Sequence, residues 1–366
     1  MKRIFKYILV VTAVCFVFNS CSKNEEENPS SDTFDPKVGA WYFGGWSFPP
    51  DPNGYTFHIS PSLVGDIQRK PIWGWREDSP EIMKQQIDLA VEAGIEWWGF
   101  CWYENTLVED PQMEYLNTAL SLFLEAPNRN SLEFCLLSCH PISDENWDIW
   151  CSKNIELMKN ENYLKVVGRP MIVLFNADEV IASMGGAEKM RKAFEGYRSK
   201  AIEAGVGDPF IGAVVRTSPA GSIYNQCGFD FLTTYNNSNF GRLEAGANDF
   251  EALNNGDKKA WDIAKTTDLP VMPTLTVGYD MRPWATDHPT LPASDFWYTG
   301  VTAQRIAEQL QSMILWGKTN QTELLTDNLM VMYAWNEYGE GAWLTPSVGS
   351  GNIRLEYIKY ILTSDK

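Results

Sequence analysis

Histidine is nearly absent from this 366-residue chain: His58, His140 and His288 are too few for a histidine-rich metal centre, and no metal site is expected. Cysteine is scarce in a different way. Of seven, Cys15 lies in an apolar leader and Cys21 directly follows it, leaving Cys101, Cys135, Cys139, Cys151 and Cys227. An odd number on strand-like or helix-like segments is not a disulfide framework. Cys135 and Cys139, four apart on one strand, share a face but are too extended to bridge, and read as small core residues. Positive charge is short as well, with 30 Lys and Arg against 47 Asp and Glu and a formal net charge of -17. Such a surface repels phosphate backbones, which excludes nucleic acid as a partner. No G-x-G-x-x-G follows the first strand-like run, and no phosphate-cradling loop, D-x-D-type metal pair, internal repeat or interdomain linker is found. Beyond residue 20 no segment is apolar enough to span a bilayer.

The first 20 residues are a basic head (Lys2, Arg3, Lys6), an apolar stretch over 8–18, and Asn19-Ser20 before Cys21. This predicts a secretory signal peptide, too short and wrongly flanked for a membrane span. A small residue before cysteine resembles a bacterial lipobox, and residues 22–27 resemble the acidic export tag of surface lipoproteins in Bacteroides-like bacteria. The resemblance implies lipidation at Cys21, attachment to the outer membrane by that lipid alone, and exposure at the cell surface. Residues 21–35, polar, acidic and rich in Ser, Pro and Asn, read as the tether, leaving 36–366 as one domain.

In that domain, strand-like and helix-like runs alternate. Near-continuously apolar runs occupy 38–43, 97–103, 132–140, 171–176, 210–216, 229–236, 271–279 and 329–337. Parallel strands covered on both faces read this way. Helical periodicity fills 80–91, 113–125, 145–158, 187–204, 303–316 and 353–362, more weakly 248–267, with a vestigial crossover between 216 and 229. Eight strands with helix-length crossovers predict an α/β fold, the (β/α)8 TIM barrel, with insertions at 44–79 and 280–300.

Active sites of such barrels lie at the C-terminal strand ends. Reading those ends in order gives Tyr42, Phe43 and Trp46; Trp102, Tyr103 and Glu104; His140; Asn176; Arg216; Tyr235 and Asn236; Tyr279 and Asp280; and Asn336, Glu337 and Glu340. With Trp75 in the first insertion, this is an inventory for sugars: rings to stack on, and amides, phenols and carboxylates for hydroxyls. The expected substrate-binding residues are Tyr42, Trp46, Trp75, Trp102, Tyr103, His140, Asn176, Arg216, Tyr235 and Asn336. Glu337 and Glu340, three apart where the eighth strand meets a glycine-containing turn, suit acid/base chemistry on a glycosidic bond. Crowding two carboxyls separates their pKa values, and one short turn favours the separation of about 5 Å used by retaining enzymes.

Residues 37–46 (KVGAWYFGGW), 69–75 (RKPIWGW), 79–103 (SPEIMKQQIDLAVEAGIEWWGFCWY) and 335–346 (WNEYGEGAWLTP) resemble glycoside hydrolase family 99 and its WbsX-like relatives of polysaccharide loci. The resemblance implies a retaining, endo-acting α-mannosidase or α-mannanase on a (β/α)8 barrel, needing no cofactor. It implies Glu337 as the base on a substrate 2-hydroxyl, through a 1,2-anhydro-sugar intermediate, and Glu340 as general acid/base. The chain departs from the family's N-E-W-H-E-G pattern at Gly339, where His is usual, and carries Thr345 where a Glu is usual. The expectation is a monomeric glycoside hydrolase acting on an oligosaccharide or polysaccharide. A non-catalytic glycan-binding lipoprotein and a WbsX-like polysaccharide-assembly protein are the alternatives.

Overall fold

The computed structural model describes residues 34–104, 113–216, 223–290 and 295–364. The expected signal peptide, Cys21 and the tether up to residue 33 lie outside the described residues. All eight expected strands are present: β1 (Lys37–Tyr42), β2 (Trp97–Trp102), β3 (Glu133–Ser138), β4 (Arg169–Leu174), β5 (Phe210–Val214), β6 (Phe231–Thr233), β7 (Thr274–Thr276) and β8 (Leu329–Tyr333). They pair in parallel in the order β6-β5-β4-β3-β2-β1-β8-β7, with helices between them. This is the (β/α)8 barrel.

The barrel interior is filled by matching large side chains to glycines across the ladder. Gly39 pairs with Trp97 and Gly99 with Trp41. A Cβ on either glycine would lie 2.2 Å from the opposite indole. Trp41 and Trp97 meet edge to face at 5.9 Å, and Trp41 reaches across the barrel to donate to Thr234 O. Strand side chains alternate between faces, so Tyr42 points outward, where it packs on Trp98 and Phe100.

The ring closes weakly between β6 and β7, through one bridge, Leu232 with Val271. Side chains reinforce that seam. Thr274 Oγ1 donates to Thr234 O at 2.7 Å, and buried Asp257, on the helix Phe250–Ala264, accepts from Thr276 N, Thr276 Oγ1, Asn237 Nδ2 and Gln309 Nε2. Burial nevertheless pushes the Asp257 carboxyl up from 3.8 to about 7. A raised folded-state pKa gives stability that is complete below the unfolded value of 3.8 and lost as pH rises through about 7. Urea unfolding of wild type should therefore show an increment of stability that falls across this interval. Asp257→Asn should lack that increment; an unchanged pH slope would refute the role of Asp257.

Helices form largely where periodicity places them. Pro80–Glu92 starts with Pro80 after Ser79, whose hydroxyl accepts from Ile82 N. The helix expected over 113–125 is interrupted: Asn117 separates Met113–Leu116 from Thr118–Glu125 because its amide turns back to both backbone groups of Tyr103. The vestigial crossover holds the short helix Ile223–Cys227. Among the unforeseen elements are the helix Ala177–Ser183 and a parallel strand pair, Gly246–Asp249 with Phe296–Thr299. The five described cysteines are free, but only some are core: Cys139 is half-buried and, with Cys101, reaches the cleft described next.

Candidate active site

The eighth strand does not run on to Glu337. After Tyr333 the chain makes a separate hairpin, Asn336–Glu337 against Ala342–Trp343, whose tip carries Glu340. Glu340 N donates to Glu337 O and Gly341 N to Tyr338 O, which folds the tip tightly. Gly341 has φ +76°, and a Cβ there would lie 2.8 Å from Asp280 N. Left-handed backbone costs a non-glycine residue about 1–2 kcal/mol, before any clash. Gly341→Ala should lower unfolding stability by at least that amount and weaken activity by shifting Glu340; unchanged stability and activity would show that the turn tolerates a side chain.

The tight turn brings both carboxyls to one side of the hairpin. Glu337 and Glu340 face an open cleft of about 690 Å³, lined also by Phe43, Trp46, His58, Cys101, Tyr103, Cys139, Phe175, Tyr235, Trp284 and Gly339. Each carboxyl receives one phenol: Tyr235 donates to Glu337 Oε1 at 2.5 Å, and Tyr333 donates to Glu340 Oε2. The two phenol rings pack edge to face at 4.7 Å. Burial, and next the charge of Glu340, hold the Glu337 carboxyl well above the usual range, opposed by Tyr235. Burial raises Glu340 too, against the hydrogen bond from Tyr333. Two buried carboxyls that feel each other's charge resist ionising together, so the pair holds a proton more firmly than an isolated carboxyl does.

The structure gathers Glu337, Glu340, Trp46, Tyr103 and Tyr235 around one cleft. The other expected binding residues stand outside its lining. Tyr42, on the outward face of β1, donates to Glu77 Oε2 at 3.2 Å. Trp75 packs behind the cleft on Trp46 and Tyr338. Trp102 and His140 follow cleft-facing Cys101 and Cys139 by one residue and so point away, ring edge against ring, with His140 Nδ1 accepting from Glu104 N. Burial lowers the His140 pKa to about 4 and keeps the ring neutral. Asn176 accepts from Arg216, whose guanidinium lies 4.6 Å over Phe175, so both residues back the ring that lines the cleft. Asn336 precedes Glu337 and faces away from the cleft, where it holds Phe43 N at 2.8 Å and Phe43 O at 2.8 Å.

Two features escape a strand-end reading. One is Glu77, buried beneath the hairpin, which accepts from Tyr338 (2.6 Å), Asn336 (2.8 Å), Trp73 (3.1 Å) and Tyr42 (3.2 Å). Burial raises its pKa despite these donors. The other is an aromatic wall from the two insertions. Trp284 stacks on His58 with centroids 6.1 Å apart. A Cβ on Gly339 would sit 3.7 Å from Trp284 Cγ, so this indole occupies the space ahead of the glycine. Thr345, the second departure from the family pattern, meets the Tyr338 hydroxyl at 2.9 Å. The aromatic richness of 44–79 is visible in the sequence, but not which ring turns toward the hairpin.

A (β/α)8 barrel with a buried carboxyl pair at its C-terminal mouth is an architecture suited to work on glycosidic bonds. A family model described as glycosyltransferase WbsX matches residues 74–358, and the chain belongs to this WbsX family. Among solved structures, it is similar to a GH99 endo-alpha-mannosidase from Bacteroides thetaiotaomicron, at 13% identity and a TM-score of 0.64 over 91% of this chain and 98% of that one. It is also similar to a glycoside hydrolase-like protein, at 12% identity and a TM-score of 0.62, covering 92% and 96% of the two chains. An exo-beta-1,4-mannosidase from Opitutaceae bacterium strain TAV5 shares 14% identity and a TM-score of 0.50, covering 91% of this chain and 60% of that one. At these identities the likeness is one of fold. No curated protein matches.

Proposed function

We propose that the chain hydrolyses an α-linked glycan of the mannan type, with retention, as a lipid-anchored protein of the cell surface. The observation that carries this reading is the pairing of two buried carboxyls on one tight hairpin, each held by a phenol, over an aromatic cleft. In the proposed reaction Glu337 takes the proton of the sugar 2-hydroxyl as O2 attacks C1 and closes a three-membered ring. Glu340 gives its proton to the departing oxygen as the C1–O bond breaks. Water, losing a proton to Glu340, then opens the ring at C1, and O2 recovers its proton from Glu337. A substrate hydroxyl donating to Glu337 favours the ionised form there and leaves the proton of the pair to Glu340. Trp46, Tyr103 and Tyr235, with Phe43, Phe175 and Trp284, would shape the sugar subsite.

The family description favours a second reading, sugar transfer from an activated donor. Among the described residues, no Lys or Arg lines the catalytic cleft to meet a nucleotide diphosphate there. Incubation with a panel of α- and β-linked polysaccharides, without any nucleotide sugar, separates the two. New reducing ends from an α-linked glycan are expected. Transfer only in the presence of a nucleotide sugar would replace the hydrolytic reading.

A further inference from the structure

A second cleft, of about 1060 Å³, opens between the loops that follow β7 and β8. The hairpin tip divides it from the catalytic cleft: Gly339 and Glu340 line the first, Gly341 and Trp343 the second. Two guanidiniums reach its wall, and they are occupied very differently. Arg69 is heavily engaged, with Asp66, Asp280 and the carbonyls of Asp280 and Tyr338 as acceptors. Asp280 is in turn neutralised by Arg69 and Arg282. Arg354 is only 8% exposed, yet among the described residues no carboxylate lies within 4.0 Å of it. It spends one donor on Trp343 O, at 2.5 Å, and rests its guanidinium carbon 3.7 Å from the Trp343 ring centroid. A guanidinium carries five N–H donors, so most of its capacity is unspent.

The charge of Arg354 is poorly placed for stability alone. It sits in the first turn of the helix Ile353–Thr363, where the helix dipole disfavours a cation. Burial and the neighbouring Arg69 pull its pKa down to about 9. The 17-residue helix Ala303–Thr319 also begins on this wall, at Thr302 and Ala303, adding its own positive end. A nearly buried cation, without a counter-ion and beside two helix N-termini, favours a bound anion. The loops after the seventh and eighth strands are also where barrels of this architecture commonly hold phosphate groups.

The geometry points to an oxyanion subsite at Arg354, which receives a carboxylate, sulfate or phosphate carried by the glycan that occupies the adjoining catalytic cleft. Assigning the anion to the glycan rests on the hydrolytic reading; the anion site itself does not. The same chemistry would accept the diphosphate of an activated donor, so the test carries an arm for each source.

Titration calorimetry on the soluble protein with inorganic phosphate, glucuronate and guanosine diphosphate reads the site directly. Phosphate and glucuronate are expected to bind in the millimolar range or better. Arg354→Met should weaken both at least roughly tenfold, as loss of a charged hydrogen-bond partner does. Ile353→Glu is the second variant: Ile353 is 42% exposed, and an acid in the first helical turn is compatible with folding. It places a carboxylate where the anion would lie and should weaken binding similarly. Glu340→Gln should bind both anions as wild type does, whatever the fate of hydrolysis. No binding of either anion by wild type, or equal binding by both site variants, would overturn the subsite. Guanosine diphosphate binding tenfold or more tighter than phosphate would overturn the assignment to the glycan.

Discussion

Glu340→Gln is expected to reduce turnover of an unactivated α-linked glycan by about 10²- to 10⁴-fold while leaving the fold intact, the usual contribution of a positioned acid or base. Glutamine keeps the shape and still accepts from Tyr333, but it cannot give a proton to the leaving oxygen. Glu337→Gln should cost as much for a different reason: it still accepts from Tyr235 but cannot take the 2-hydroxyl proton. The leaving group separates the two roles. An aryl glycoside whose phenolate departs without protonation should recover much of the loss in Glu340→Gln and little in Glu337→Gln. Recovery in the opposite variant would exchange the two roles. Activity within about tenfold of wild type in either variant would remove that residue from the acid/base chemistry.

Glu77→Ala should have the largest effect on stability, about 3–5 kcal/mol. All four partners of Glu77 donate: Trp73 and Tyr338 to one oxygen, Tyr42 and Asn336 to the other. Truncation would leave the Tyr42 and Asn336 donors short of a partner in a buried space, at about 1–3 kcal/mol each, while Tyr338 keeps only Thr345. The same carboxyl ties β1, the 44–79 insertion and the catalytic hairpin together, so activity should fall with stability. Glu77→Gln should cost less, since it keeps one acceptor oxygen and turns only its amide nitrogen toward donors. A loss below about 1 kcal/mol in Glu77→Ala by urea unfolding would mean that the insertion is held by its aromatic packing instead.

The barrel was legible because its strands are buried on both faces and its helices repeat at 3.6 residues; both patterns are local. All eight strands fall where apolar runs stand, though β6 and β7 are only three residues each. Glu337 and Glu340 could be found because they sit at the last strand end, a position the architecture itself singles out. Strand-end position alone does not set direction. Tyr42, Trp102, His140 and Asn336 each neighbour a side chain that faces inward or into the cleft, and pleating sends them the other way. Parity along the paired strands, anchored on inward Trp41, would have separated Cys101, Cys139 and Phe175 from Trp102, His140 and Asn176. Glu77, Trp284 and His58 were not legible at all. Their places depend on how the insertions 44–79 and 280–300 fold back, which no local periodicity encodes.

The most direct measurement is proton NMR of the first turnover on a defined α-linked mannooligosaccharide, with wild type and Glu340→Gln side by side. Wild type should release the α-anomer first, before mutarotation, with no nucleotide sugar present, and the variant should release essentially none. First appearance of the β-anomer would contradict retention. Equal release by the two proteins would contradict the chemistry assigned to the hairpin carboxyls.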